Sequence, residues 1–207
     1  MALRKIIDSK PLLWALLSIP ALLMILRTFD PDVYFENLLH PTGEWSARLI
    51  ILALMLTPLS MLLPRQAWVR WLLRRRRSFG IAAFGYALLH LLFYLLAMET
   101  LKNILAELGA LGIWTGWAAF LLMLPLALTS NDAAMRALKA GWKRLQRLAY
   151  PAAFFTLLHW MFVHDDVAAA LINFAPLVAL ELWRLARSLR GHRPSPTTST
   201  TANLENA

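Results

Sequence analysis

Six long apolar runs, at residues 11–26, 49–63, 79–98, 108–129, 148–163 and 167–183, constrain this chain more than any other feature. Crossing a hydrocarbon core of about 30 Å takes roughly 17 to 25 mostly apolar residues in an α-helix. Within that core each backbone N–H and C=O must be paired inside its own segment, which leaves helices or closed barrels. Runs this long and continuous, without strand-like alternation, predict an all-α membrane protein, a bundle of about six transmembrane helices. Several runs sit at the short end of the range, so interfacial residues are expected to extend them. Composition agrees: 59% of the residues are apolar and 16% charged, where soluble domains carry about 25% charged residues.

Charge placement gives the orientation. Arg4, Lys5 and Lys10 precede the first run; Arg65, Arg70 and Arg74, Arg75, Arg76 and Arg77 lie between the second and third. Arg136, Lys139, Lys143, Arg144 and Arg147 lie between the fourth and fifth, and Arg184, Arg187, Arg190 and Arg193 follow the sixth. Of the 21 basic residues only Arg27, Arg48 and Lys102 fall elsewhere. The positive-inside rule then predicts cytoplasmic termini and a multi-pass protein of the bacterial inner membrane. In a soluble protein a net charge of +9 would suggest nucleic acid, but here the partner expected is the membrane lipid surface and no nucleic acid. The run from Arg74 to Arg77 is expected to anchor the chain at the headgroups. No small-x-small site closes the first run, so it reads as an uncleaved span. There is no cysteine, which excludes disulfides, thiolate-held metals and covalent haem attachment through C-x-x-C-H. No internal repeat is evident. Residues 1–37 are expected to hold the first span and an outer loop, 38–188 the main membrane domain, and 189–207 a disordered cytoplasmic tail.

Within the runs the oddities are His90 and His159, since ionisable groups inside a membrane are rare and face the bundle interior. Each lies eleven residues into its run, counted from residues 79 and 148, which is roughly 16 Å deep at 1.5 Å per residue. Two imidazoles at one depth can supply both axial ligands of a haem. Phe84, Tyr86, Phe93, Phe154, Phe155 and Trp160, with Ala83, Ala152 and Ala153, are expected to wall it, and Gly80 and Gly85 to make room for it. A bis-histidine haem has no open site and transfers electrons. The alternative is that both histidines only hydrogen-bond within the bundle. Copper or zinc would usually want a third protein ligand. His40, in the outer loop segment His40-Pro41-Thr42-Gly43, and His164, beside Asp165 and Asp166, are weaker outer-face candidates. Glu181 is expected to pair with Arg184 three residues on.

Over about residues 38–188 the chain resembles the MsrQ family, the haem-binding membrane subunits of a periplasmic protein-methionine-sulfoxide reductase system, within the ferric-reductase-like transmembrane group. The resemblance rests on His40-x-Thr42-Gly43, Thr57-Pro58-Leu59, Arg76-Arg77-x-x-Gly80, Leu89-His90, Leu128-Thr129-Ser130, Trp142-x-x-Leu145, Tyr150 and His159 in order. It implies that His90 and His159 ligate haem b and that FMN is a further cofactor. It implies electrons arriving from a cytosolic flavin reductase or from quinol, and leaving to a periplasmic molybdopterin methionine-sulfoxide reductase catalytic subunit. The chain would then be an electron-transfer subunit rather than the catalytic one. The family commonly has a second histidine thirteen residues before the one at 159; here that position is Gln146, and thirteen before His90 stands Arg77. Both are poor iron ligands, so one haem is expected, with Arg77 and Gln146 as second-site, flavin or propionate candidates. Two rival readings are a stand-alone ferric or cupric reductase and a non-redox transporter or scaffold.

Overall fold

The computed structural model describes residues 9–163 and 167–191. Among these, the regular elements are helices: α1 (Lys10–Arg27), α2 (Glu36–Leu62), α3 (Ala67–Arg74), α4 (Arg76–Met98), α5 (Leu101–Glu107), α6 (Leu111–Leu128), α7 (Asp132–Leu138), α8 (Ala140–Leu145), a 3-10 turn (Gln146–Leu148), α9 (Ala149–Val163) and α10 (Val167–Gly191). The fold is therefore the all-α membrane bundle expected. Local chemistry starts several of these elements. Ser9 accepts the Leu12 N–H ahead of α1, Thr100 accepts Asn103 N–H ahead of α5, and Asn131 accepts Ala134 N–H ahead of α7.

Five helices, α1, α2, α4, α6 and α10, are long and apolar enough to cross a membrane. The sixth expected span is shorter: α9 has 15 residues, about 22 Å, and follows a 3-10 turn that tightens its entry. Two closely packed pairs form the centre, α2 with α4 and α6 with α9; α10 lies against α2 and α9, and α4 also touches α6. Leu38, Leu54, Leu56, Ala83, Ala152 and Phe174 are in the buried core. Large apolar side chains such as Leu22, Trp114, Leu121 and Ile172 point outward, as lipid-facing helices require.

The second helix corrects the sequence reading. It begins at Glu36, so His40-Pro41-Thr42-Gly43 is helical, not an outer loop. Pro41 has no N–H to give and weakens the ladder there. The Thr42 hydroxyl folds back onto the carbonyls of Leu38 and Leu39, at 2.7 and 2.9 Å, so its polar group is satisfied inside the helix. A second irregularity ties α1 down. Tyr86 on α4 inserts its hydroxyl into the α1 ladder one turn beside Pro20, donating to Leu17 O at 2.8 Å and accepting from Ala21 N–H at 3.1 Å. At the other end of the chain α10 continues through Gly191. His164, Asp165, Asp166 and the tail from residue 192 lie outside the described residues.

Candidate functional site

His90 on α4 and His159 on α9 meet at the centre of the bundle, their ring centroids 5.9 Å apart and their planes at 85°. The same local device orients each ring. His90 Nδ1 lies 2.9 Å from the Leu39 carbonyl, and His159 Nδ1 lies 2.7 Å from the Gly112 carbonyl. A carbonyl oxygen only accepts, so Nδ1 carries the proton in both rings and the lone pair resides on Nε2. Three residues beyond each accepting carbonyl stands a threonine whose hydroxyl donates to that carbonyl: Thr42 to Leu39 O at 2.9 Å, and Thr115 to Gly112 O at 2.8 Å. Four residues beyond stands a glycine against which the ring lies. A Cβ on Gly43 would approach His90 Nδ1 to 3.2 Å, and one on Gly116 would approach His159 Nδ1 to 2.7 Å. Each central helix pair thus presents one histidine from a Thr-Gly cradle on its partner helix, a local repeat that an unaligned reading of the chain does not show.

The rings border a cleft of about 670 Å3, counted out to its mouth, lined among others by Ala87, Leu91, Ile113, Trp117, Phe120 and Met123. Its wall is mostly apolar with a few placed polar groups, the make-up usual for small-ligand sites. The donor set suits a metal gripped from two sides. An imidazole nitrogen binds a first-row metal at about 2.0–2.1 Å, which puts the centres of two opposed rings roughly 6 Å apart. Nδ1–H bonds to backbone carbonyls are also the usual outer support of ligating histidines. Among the described residues no group of three His, Cys, Asp or Glu side chains comes together. His90 and His159 are the side chains that would hold a haem iron here.

The walls differ from those expected. Tyr86 serves α1, Phe93 stacks on Phe35 at 6.1 Å, and Ala83 gives its carbonyl to Ser46. Gly85 faces open space and Gly80 belongs to another cavity. The room comes instead from Gly43 and Gly116, on helices that carry no histidine of the pair. The sequence held a signal for the second: Gly112 and Gly116 form a G-x-x-x-G stripe, the pattern that lets membrane helices approach closely. A Cβ on Gly112 would meet Val163 Cγ2 at 2.8 Å, so that stripe is the face on which α9 seats.

The remaining candidates are not brought to the pair. His40 is half exposed, 3.5 Å from Glu44, which in turn binds Arg48 at 2.9 Å. Arg77 pairs with Asp132 at 2.6 Å; the hydrogen bond from that guanidinium, then its charge, holds the Asp132 carboxyl below the usual carboxylate range. Gln146 donates to Leu126 O and Thr129 Oγ1, both at 3.3 Å. Arg77 and Gln146 do share a second cavity at the basic end of the bundle. Arg75 stacks over Trp71 at 3.8 Å and Arg76 donates to Thr57 Oγ1 at 3.1 Å. Glu181 pairs with Arg184 at 2.8 Å, as expected.

A helical bundle with such a histidine pair defines a class, and sequence comparison agrees: residues 42–157 match the family described as ferric reductase like transmembrane component. Among curated relatives, the protein-methionine-sulfoxide reductase heme-binding subunit MsrQ of Xanthomonas axonopodis pv. citri (strain 306) is 34% identical over 186 residues, covering 83% of this chain and 77% of the relative. Its namesake in Azospira oryzae is 37% identical over 178 residues, covering 80% and 72%. That of Xanthomonas campestris pv. campestris (strain 8004) is 35% identical over 179 residues, covering 79% and 74%. No solved structure matches the chain. The chain belongs to the MsrQ heme-binding-subunit family within the ferric-reductase-like transmembrane group.

Proposed function

We propose that this chain is a membrane electron-transfer subunit that holds one haem b between His90 and His159. The observation that carries the reading is the pair itself: two imidazoles 5.9 Å apart in an apolar cleft, each with Nδ1 on a backbone carbonyl. When bound, a haem with both axial positions filled supplies one-electron transfer and leaves no open iron site. The chain's own residues do the rest. Leu39 O and Gly112 O fix the ring tautomers and orientations, and Thr42 and Thr115 hold those carbonyls. Ile113, Trp117, Phe120 and Met123 exclude water from the cleft. The basic end faces the cytoplasm of a bacterial inner membrane by the positive-inside rule.

The relatives' name places them in a protein-methionine-sulfoxide reductase, which supports that system as the destination of the electrons; the acceptor in this reading is its periplasmic molybdopterin catalytic subunit, which repairs oxidised proteins. On the cytoplasmic side the donor is a flavin reduced by a cytosolic flavin reductase, or membrane quinol, and FMN is a further cofactor in this reading. Since Arg77 and Gln146 are occupied by Asp132, Leu126 and Thr129, we assign no second iron there. A stand-alone ferric reductase is the second reading, favoured by the family description. Dithionite-reduced protein mixed with oxidised catalytic subunit or with ferric chelate separates the two. Rapid reoxidation by the enzyme alone supports the relay, and reoxidation by the chelate alone refutes it.

A further inference from the structure

Each histidine and the cradle that orients it belong to one closely packed helix pair: His90 on α4 with Leu39, Thr42 and Gly43 on α2, and His159 on α9 with Gly112, Thr115 and Gly116 on α6. The centre of the bundle is therefore two self-contained halves, each carrying one ring. They meet along two lines. On one, α2 touches α9 and α10 packs on both, pinned by Arg48 to Asn173 at 3.3 Å, Arg187 to Met61 O at 3.3 Å and Arg184 to the Tyr150 hydroxyl at 3.1 Å. On the other, α4 meets α6, and no long helix among those described bridges them in that way.

The histidine cleft lies on that second line. Its walls come mainly from α4, with Ala87, Leu91 and Tyr94, and from α6, with Trp117, Phe120 and Met123. Side chains close the routes along the bundle axis. On the inner side Phe84 stacks on Phe120 at 5.4 Å, and Met123 stands between the cleft and the inner cavity at the basic end, which it also lines. On the outer side the Tyr94 hydroxyl donates to Glu107 at 3.2 Å, fastening the end of α5 to α4. What remains is the lipid side, where α4 and α6 expose Leu88, Leu92, Trp114 and Leu121. Side chains tie this seam at three levels, the Phe84 stack, the Tyr94 bond and Arg77 with Asp132 at 2.6 Å. The connection between the two helices gives easily: α4 ends at Glu99 with φ 57°, and α5 beyond it is mostly exposed. We infer that haem enters and leaves this protein sideways from the lipid, by parting of α4 from α6 while α10 holds α2 to α9 as a spine. A haem is mostly apolar and partitions into the bilayer, so the membrane delivers it to this face. The portal rests on the haem reading and adds to it the route by which the site fills.

The full chain is purified in nanodiscs after expression with ample porphyrin supply, and haem transfer to an apo-globin acceptor is followed by absorbance. Because the chain has no cysteine, thiol pairs report only where they are placed. Arg77→Cys with Asp132→Cys spans the seam, and Arg48→Cys with Asn173→Cys spans the spine; each pair is bridged by a short thiol-to-thiol reagent that a reductant cleaves, and bridging is read by intact mass. The seam tether should slow haem release about tenfold or more, with the rate restored on cleavage, and the spine tether should leave it unchanged. The unbridged seam variant reports the loss of the ion pair alone. Tyr94→Phe unfastens α5 with the ring kept and should speed release about two- to tenfold. The portal is overturned if release is the same with the seam tether intact and cleaved, if both tethers slow it equally, or if Tyr94→Phe does not speed it. Seam thiols that fail to bridge overturn it as well, since Arg77 and Asp132 touch across the closed seam. In each of those cases the haem band of the untethered protein leaves the haem reading standing, whereas a wild type without that band removes the reading and the portal together.

Discussion

Gly116→Ala is the substitution whose consequence the structure dictates most fully. The added methyl would stand 2.7 Å from His159 Nδ1 and 2.8 Å from its Cε1, where ordinary contact begins at 3.4 Å. The ring must therefore retreat from α6 by roughly 0.7 Å, which stretches its 2.7 Å bond to Gly112 O past the hydrogen-bond range of about 3.2 Å. Losing that bond costs about 0.5–1.5 kcal/mol, and twisting the ring off its rotamer costs a similar amount, about 0.5–1.5 kcal/mol. Together, about 1–3 kcal/mol is roughly a five- to 150-fold weaker hold on the haem. Global stability should not fall with it, because alanine favours a helix over glycine by about 1 kcal/mol. The assay is haem transfer from the purified chain to an apo-globin acceptor, run beside thermal unfolding. Gly43→Ala, with its Cβ at 3.2 Å from His90, should have a smaller effect, and Gly80→Ala, with nothing within 4 Å, none. Unchanged haem release in Gly116→Ala, or a loss no larger than in Gly80→Ala, would refute the cradle argument.

His90→Ala and His159→Ala should each abolish stable haem binding, measured as the haem-to-protein ratio; a normal bis-imidazole spectrum in either variant counts against the ligand assignment. Tyr86→Phe leaves Ala21 N–H and Leu17 O without the bridging hydroxyl and should cost about 1–3 kcal/mol of stability in thermal unfolding, with the haem spectrum unchanged. Arg77 lowers the pKa of Asp132 from 3.8, so the pair stabilises the fold above the unfolded carboxyl's pKa, and that contribution disappears as pH falls through the lower folded value. Asp132→Asn should therefore flatten the acid side of the thermal-stability profile below about pH 4, and an unchanged profile would show the pair to be idle.

The membrane class and the histidine pair were legible in the sequence because lipid makes both signals countable. Apolar run length has a required value, and a fixed rise per residue turns sequence position into depth, which puts His90 and His159 on one level. Their surroundings were not legible, because which residues of α2 and α6 face the rings depends on helix rotation and pairing rather than on hydropathy. Gly80 and Gly85 were the obvious glycines by proximity to His90, yet Gly43 and Gly116 make the room from neighbouring helices. The start of α2 was hidden for a similar reason. Pro41 reads locally as a helix breaker, yet the helix runs through it from Glu36 to Leu62. The inner cavity was half visible, since Arg74 to Arg77 stood out as a charge run, whereas Lys143, Arg147 and Arg184 join it only through the fold.

The most direct test is an absorption spectrum of the purified full-length chain, oxidised and then dithionite-reduced, after expression with ample porphyrin supply. The account predicts a low-spin b-type spectrum with one haem per polypeptide by pyridine haemochrome. A colourless protein would contradict it.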